Sequence, residues 1–174
     1  MTLEFRRPKS EEAGAMAALH VQCWREAYAN ILPEQLLSTF TGETQLPMWQ
    51  VVIPSVDRFV LAAYVDGKVV GFVISGATDE KHIENQDGHL WSLYIAADYG
   101  RRGIGRHLIS CVAADWMEKG GTSLTIGVLA ENIRARSFYE SLGARLVQRC
   151  TYEWDGYLLP DTIYVFENLP ALTP

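Results

Sequence analysis

Tyr99-Gly100-Arg101-Arg102-Gly103-Ile104-Gly105-Arg106-His107-Leu108 lies between two strongly patterned segments. Before it runs Leu90-Trp91-Ser92-Leu93-Tyr94-Ile95, rich in aromatic and branched apolar residues and therefore read as a strand. After it, Ile104, Leu108, Cys111, Val112 and Trp116 recur at helical spacing. The glycines thus fall at a strand-to-helix turn. The first backbone N–H groups of a helix have no partner inside it, and the macrodipole makes that end partly positive, so main chain alone can hold an anion there. Gly103 and Gly105 let the backbone approach such a ligand with no Cβ in the way.

Two phosphate motifs are tested and rejected. Gly100-x-x-x-x-Gly105 has P-loop spacing, but Arg106 and His107 follow where Lys and Ser or Thr are required. A dinucleotide fingerprint from Gly103-x-Gly105 needs a small residue at Leu108, which is too bulky. Downstream, Leu124-Thr125-Ile126-Gly127-Val128-Leu129 reads as a second buried strand, and Ala130 to Ala144 as a helix closed by Gly143. On that helix Asn132 and Tyr139, seven residues apart, are expected on one face.

In this order of parts the chain resembles the GNAT superfamily of acetyl-coenzyme A-dependent N-acetyltransferases. The resemblance covers nearly the whole chain and is strongest over 90–108 and 124–144. The family's phosphate signature, Q/R-x-x-G-x-G/A, is matched by Gly100-Arg101-Arg102-Gly103-Ile104-Gly105, with Gly100 where Gln or Arg is usual. The family's pyrophosphate contacts are mostly main-chain amides, so the departure bears on affinity more than on the identity of the ligand. The resemblance implies an α/β (α+β) fold with a mixed, mainly antiparallel sheet of about seven strands flanked by helices on both faces. It also implies that the fourth and fifth strands splay, and that pantetheine enters along strand-edge amides at Leu93, Tyr94 and Ile95.

Composition is consistent with this reading. The chain has 174 residues, 48% of them hydrophobic, enough for one domain over 1–174 with its own core. Its 21 acidic against 15 basic residues give a net charge of −6, which argues against nucleic acid as a partner. The local cluster Arg101, Arg102 and Arg106 stands out against that background and suits a diphosphate or the 3′-phosphate of coenzyme A. Cys23, Cys111 and Cys150 form neither a disulfide framework nor a C-x-x-C pair, and His20, His82, His89 and His107 show no zinc spacing. With no apolar leader and no spanning segment, a cytoplasmic protein without metal or membrane partner is expected, as a monomer or homodimer.

Leu3 to Arg7 reads as the first strand, with Ser10 as the cap of a helix running to about Ala29. Pro33-Glu34 opens a short helix, and Thr44 to Val52 another that is interrupted around Pro47. Phe59 to Tyr64 and Val69 to Ser75 form a hairpin about Asp66-Gly67, and Thr78 to Gly88 is a loop. Arg145 to Trp154 and Thr162 to Asn168 form a terminal antiparallel pair flanking Asp155-Gly156 and Pro160.

Acetyl transfer needs a neutral amine, whose reference pKa lies near about 10.4, so a proton must leave first. By the resemblance, the fourth-strand base position of several families corresponds to His89. An unperturbed imidazole, near about 6.5, suits that task if it shares a strand face with Trp91, Leu93 and Ile95. A water chain is the alternative base, and Glu84 and Glu153 are weaker ones. The resemblance also places the oxyanion on a backbone N–H near Ile95 and makes Tyr139 the general acid for the departing thiolate. From a phenol near about 10 to a thiol near about 8.5 that transfer is uphill by about 2 kcal/mol, so Tyr139 assists rather than being indispensable. Asn132 either hydrogen-bonds the pantetheine chain or caps its helix. Trp24 and Tyr28, one turn apart on the first helix, wall the acceptor cleft or simply pack. Asp79, Glu80, Glu84 and Asp87 in the loop would attract a cationic amine: a small molecule, a polyamine or a peptide amine. The expected activity is direct transfer in a ternary complex. A silent acyl-coenzyme A sensor shares every such motif, and a plain nucleotide-binding domain is a third reading.

Overall fold

The computed structural model describes residues 1–78 and 88–173. Its strands are β1 (Leu3–Arg6), β2 (Phe59–Val65), β3 (Lys68–Gly76), β4 (Gly88–Ile95), β5 (Leu124–Leu129), β6 (Arg145–Trp154) and β7 (Tyr157–Phe166). Its helices are α1 (Ala13–Tyr28), α2 (Glu34–Thr39), α3 (Gly42–Val52), α4 (Ile104–Glu118) and α5 (Ile133–Ser141). The strands form one mixed sheet in the order β1-β2-β3-β4-β5-β7-β6. β1 is antiparallel to β2, β7 is antiparallel to both β5 and β6, and β4 runs parallel to β5. The expected fold class is the observed one.

Packing divides the chain into two compact units. The first comprises Met1–Ile74 and Ser92–Leu108. Its core sets Met16, Ala17, Leu19 and Cys23 of α1 with Trp49 and Ile53, against Val60, Ala62 and Tyr64 of β2 and Phe72 of β3. The second comprises Ser75–Trp91 and Ile109–Pro174. There Leu124, Ile126 and Val128 of β5, Ile163 to Phe166 of β7, and Ile109, Val112 and Ala113 of α4 are buried. β3, β4 and α4 each run from one unit into the other.

Both Asp-Gly turns form as their chemistry dictates. Asp66 and Gly67 have φ of +48° and +80°, and Asp155 and Gly156 +46° and +80°. Positive φ at both central positions is the requirement of a type I′ hairpin.

Several element ends differ from the sequence expectation. Ser10 does not cap α1, because Glu12, held by Arg6 through two 2.8 Å bonds, accepts the Lys9 N–H at 2.7 Å. The chain therefore enters α1 through a 3-10 turn, Ser10–Glu12. Pro47 does not interrupt α3, which starts earlier at a reciprocal cap. Thr41 Oγ1 accepts from the Thr44 N–H at 3.3 Å, and Thr44 Oγ1 from the Thr41 N–H at 3.0 Å. Pro47 then deletes a single bond, to the carbonyl of exposed Glu43, which water can satisfy. β7 begins at Tyr157 rather than Thr162, with Pro160 inside it. The β5 ladder ends at Leu129↔Asp161, and beyond it the Pro160 carbonyl accepts the Ala130 N–H at 2.9 Å, so the missing N–H of Pro160 falls past the end of β5 and costs no rung of that ladder.

Candidate active site

The turn into α4 is a curl of backbone whose handedness alternates. Gly100 has φ −63°, Arg101 +61° and Gly103 +81°. Gly103 acts as the first carbonyl acceptor of the helix, taking the His107 N–H at 3.0 Å. The N–H groups of Ile104, Gly105 and Arg106 precede that first bond and lie in the orphan turn of the helix. Alternating backbone handedness ahead of a helix N-terminus gathers amides into an anion-binding concavity. Arg101 is the informative residue, since a side chain other than glycine resists positive φ by about 1–2 kcal/mol. The Ile104 side chain is buried, so only its amide can face a ligand, while Arg101 and Arg106 are exposed. Arg102 is directed back along the chain, donating to the Asp98 carbonyl at 3.0 Å with its guanidinium 5.3 Å from the Tyr99 ring centre.

In the same unit the end of β4 is fastened to α1 and β3. Glu26 accepts the Ala97 N–H at 2.9 Å, and the hydroxyls of Tyr28 and Tyr94 lie 3.2 Å apart. The Ala96 N–H donates to the Val70 carbonyl at 2.9 Å. Gly71 packs closely beside it: a Cβ there would stand 3.0 Å from the Tyr94 carbonyl oxygen and 3.1 Å from Ile95 Cγ1, so these neighbours would have to yield by a few tenths of an ångström. Leu93, Tyr94 and Ile95 are half-buried. Trp24, at 2% exposure, is core: its ring stacks on Phe40 at 4.3 Å and 7°. Tyr28, half-buried and edge-on to Trp24, is the residue of that pair with a polar group toward Tyr94.

His20 lies behind Tyr94, ringed by Phe40, Trp49, Phe72 and Tyr94 at 5.0–5.9 Å between ring centres. Its Nδ1 has no hydrogen-bond partner among the described residues. Burial disfavours the charged ring and pushes its pKa down to about 4.

In the second unit the β4–β5 ladder comprises two pairs among the described residues, Gly88↔Leu124 and His89↔Thr125. His89 is 7% exposed and its Nδ1 lies 2.7 Å from Thr125 Oγ1, which itself donates to the Gly88 carbonyl at 3.2 Å. His89 packs edge-on to Trp91 at 4.8 Å, so the two share a strand face as alternation requires. Gly88 makes room for Trp116, since a Cβ would fall 2.6 Å from the indole.

Asn132 precedes α5 instead of lying on its face. It is the N-cap, its Oδ1 accepting the Ala135 N–H at 3.1 Å, which leaves its amide N–H groups as donors. Tyr139 is 5% exposed, edge-on to Phe138 and Phe166. A Schellman cap fixes the end of α5. Gly143 (φ +93°) donates to Glu140, and the Ala144 N–H to the Tyr139 carbonyl at 3.0 Å. Arg136 and Glu140 clasp the Tyr164 hydroxyl at 2.9 and 2.6 Å, pinning α5 to β7.

Sequence reasoning missed Thr125, Glu26, Gly71 and Gly88. A polar residue inside the apolar run Leu124–Leu129 was the available signal for Thr125; nothing local distinguishes the others. Asp79, Glu80, Lys81, His82, Glu84 and Asp87 lie outside the described residues, and Glu153 is exposed on β6. Among the described residues there is no cluster of three or more metal-ligating side chains and no helix long and apolar enough to cross a membrane.

The chain and its fold have counterparts among known proteins. An uncharacterized N-acetyltransferase of Bacillus subtilis (strain 168), YuaI, is 26% identical over 167 residues, covering 96% of this chain and 94% of that protein. Among solved structures, the PaiA N-acetyltransferase of Thermoplasma acidophilum in complex with coenzyme A superposes with a TM-score of 0.75 at 22% identity. That match covers 96% of this chain and 99% of the other. A GCN5-related N-acetyltransferase from Rhodopseudomonas palustris gives 0.76 at 22% identity, covering 96% of each. The sequence model of the acetyltransferase (GNAT) family matches residues 18–144, a span holding the glycine turn, β4, β5 and α5, and the chain belongs to that family of acetyltransferases.

Proposed function

We propose that the protein transfers an acetyl group from acetyl-coenzyme A to a primary amine, by direct attack within a ternary complex. The observation that carries this reading is the amide curl ahead of α4, in which Arg101 holds a positive φ to aim the chain. The diphosphate of acetyl-coenzyme A would lie on the amides of Gly103 to Arg106, with Arg101 and Arg106 supplying charge. Pantetheine would run along β4 at Leu93, Tyr94 and Ile95, whose carbonyls and amides offer a strand-like edge. The coenzyme A bound by the PaiA N-acetyltransferase, which shares this fold, supports coenzyme A as the ligand class.

In the reaction the acceptor ammonium gives a proton to His89, and the neutral amine attacks the thioester carbonyl. The developing oxyanion is received by the amide near Ile95. Collapse expels the thiolate, which takes a proton from Tyr139, and the second proton that leaves the amine nitrogen as the amide forms returns the phenolate to the phenol. Asn132, with its Oδ1 used in the cap, keeps its amide N–H groups for a pantetheine carbonyl. Tyr28 and Tyr94 present two phenolic oxygens to an acceptor ammonium, and the acceptor class is a small or peptidic amine. A cytoplasmic location is part of this proposal, which is compatible with a homodimer.

The deciding experiment follows free coenzyme A with a panel of amines: polyamines, aminated small molecules and peptides. Turnover of an amine supports the reading, and acetyl-coenzyme A binding without turnover of any amine would replace it with a sensor module. Tyr139→Phe keeps the ring and removes the hydroxyl. kcat is expected to fall by up to about 10²-fold with the acetyl-coenzyme A affinity unchanged. His89→Ala should remove the acid limb of the pH–rate profile. Wild-type behaviour in both variants would overturn the residue roles.

A further inference from the structure

Two hydrogen bonds meet at Thr125 Oγ1, and the single hydroxyl proton available to them can be assigned. Thr125 Oγ1 lies 2.7 Å from His89 Nδ1 and 3.2 Å from the Gly88 carbonyl oxygen. The carbonyl can only accept, so the single hydroxyl proton of Thr125 belongs to that bond. Oγ1 then faces the imidazole with a lone pair, and the short contact is filled only if Nδ1 carries the hydrogen. The opposite tautomer would require the same hydroxyl proton on Nδ1 and would leave the Gly88 bond unmade. Thr125 is fully buried and His89 nearly so, which makes an unmade bond expensive there and the preference strong.

We propose that Thr125 is a positioning residue that fixes His89 in the Nδ1–H tautomer and thereby makes Nε2 the basic nitrogen. The proposal rests on the reading of His89 as the base. When the acceptor ammonium loses its proton, its N–H bond breaks and a Nε2–H bond forms, while the electron pair stays on the amine nitrogen. The imidazolium keeps its Nδ1–H bonded to Thr125, so no group has to rotate as the ring becomes charged. Register fixes the pair: His89↔Thr125 is the last rung of the β4–β5 ladder, and β-branched threonine has few side-chain rotamers.

The test is the protonation state of the ring, read by long-range proton–nitrogen NMR on 15N-labelled protein and assigned with His89→Ala. The wild-type ring is expected as the Nδ1–H tautomer. Thr125→Val, which keeps shape and removes the hydroxyl, should yield a mixture and lower kcat by about tenfold, with the KM for acetyl-coenzyme A unchanged. Spermidine and a short peptide with a free α-amine serve as acceptors. Thr125→Ser should restore both the tautomer and the rate, which a purely structural defect would not allow. A wild-type ring protonated on Nε2 overturns the proposal whatever the variants do, and it can be read without turnover or a well-folded variant. Nδ1–H in the wild type together with an unimpaired His89→Ala overturns the base reading alone.

Discussion

Arg101 and Gly103 share a positive φ but not the freedom to adopt it. Glycine takes that conformation at little cost, whereas arginine is held there by its neighbours. Gly103→Ala therefore adds about 1 kcal/mol of backbone strain at the one point where the curl meets α4. Gly105→Val places a branched side chain in the first turn, over the amides assigned to the diphosphate. Both variants are expected to stay folded by circular dichroism and to lose acetyl-coenzyme A affinity by about tenfold or more in calorimetry. Unchanged affinity in a folded Gly105→Val protein would remove the diphosphate from this turn. The need for glycine was legible in the sequence from the Gly103-x-Gly105 spacing, but the strain at Arg101 was not. Arginine has no positional signature for positive φ, and the backbone adopts it only because the tertiary structure fixes both sides of the turn.

The helices α4 and α5 both end in the second unit and in the same way, and one of those ends bears on His89. Gly120 (φ +84°) donates to the Met117 carbonyl and Gly121 to the Trp116 carbonyl, a Schellman motif matching that of α5. The Trp116 ring then lies against Gly121, where a Cβ would overlap Nε1, and against Gly88. Gly88 is the residue before His89 in β4 and the acceptor for Thr125, so its missing side chain sets the height of the strand at the base. Gly88→Ala should force the indole or the strand to move. The expected loss is about 1–3 kcal/mol of stability in denaturant unfolding, with a fall in kcat larger than any change in KM for acetyl-coenzyme A. A melting temperature and kcat equal to wild type would show that Trp116 yields freely. At this scale the sequence was most readable where chemistry is local. Asp-Gly set both hairpins, Gly143 ended α5, and runs of aromatic and branched apolar residues marked β4 and β5. It was least readable where a distant partner decides. Arg6 takes Glu12 and moves the start of α1, and a single ladder partner at Pro160 lets β7 begin early. Thr125 looks like an ordinary strand residue until the register sets it opposite His89.

Stability of the whole chain should depend on acid in two separable windows, because His20 titrates above Glu12 and Glu167, the carboxylates held low by Arg6 and Arg145. His20 is held neutral by its aromatic surroundings, with its pKa lowered from 6.5 to about 4. Between those values the unfolded chain binds a proton that the folded chain refuses, so stability falls as pH drops from about 6.5 toward 4. The shift corresponds to a loss of roughly 2 kcal/mol between pH 7.5 and 5. Glu12 works lower. Its bonds to Arg6 bring it down from 4.5 to about 2, so its contribution is complete above about 4.5 and is lost as pH falls through the folded value. Urea unfolding from pH 7.5 to 3 should show both slopes. His20→Leu should flatten the upper one whatever it does to absolute stability, since leucine binds no proton in either state. Glu12→Gln should flatten only the lower. Because each variant is judged by its slope, a packing loss cannot imitate the result. A His20→Leu protein that keeps the full wild-type slope between pH 6.5 and 5 would mean that His20 is protonated in the folded chain. The unpartnered Nδ1 would then require a hydrogen-bond acceptor in that aromatic cluster.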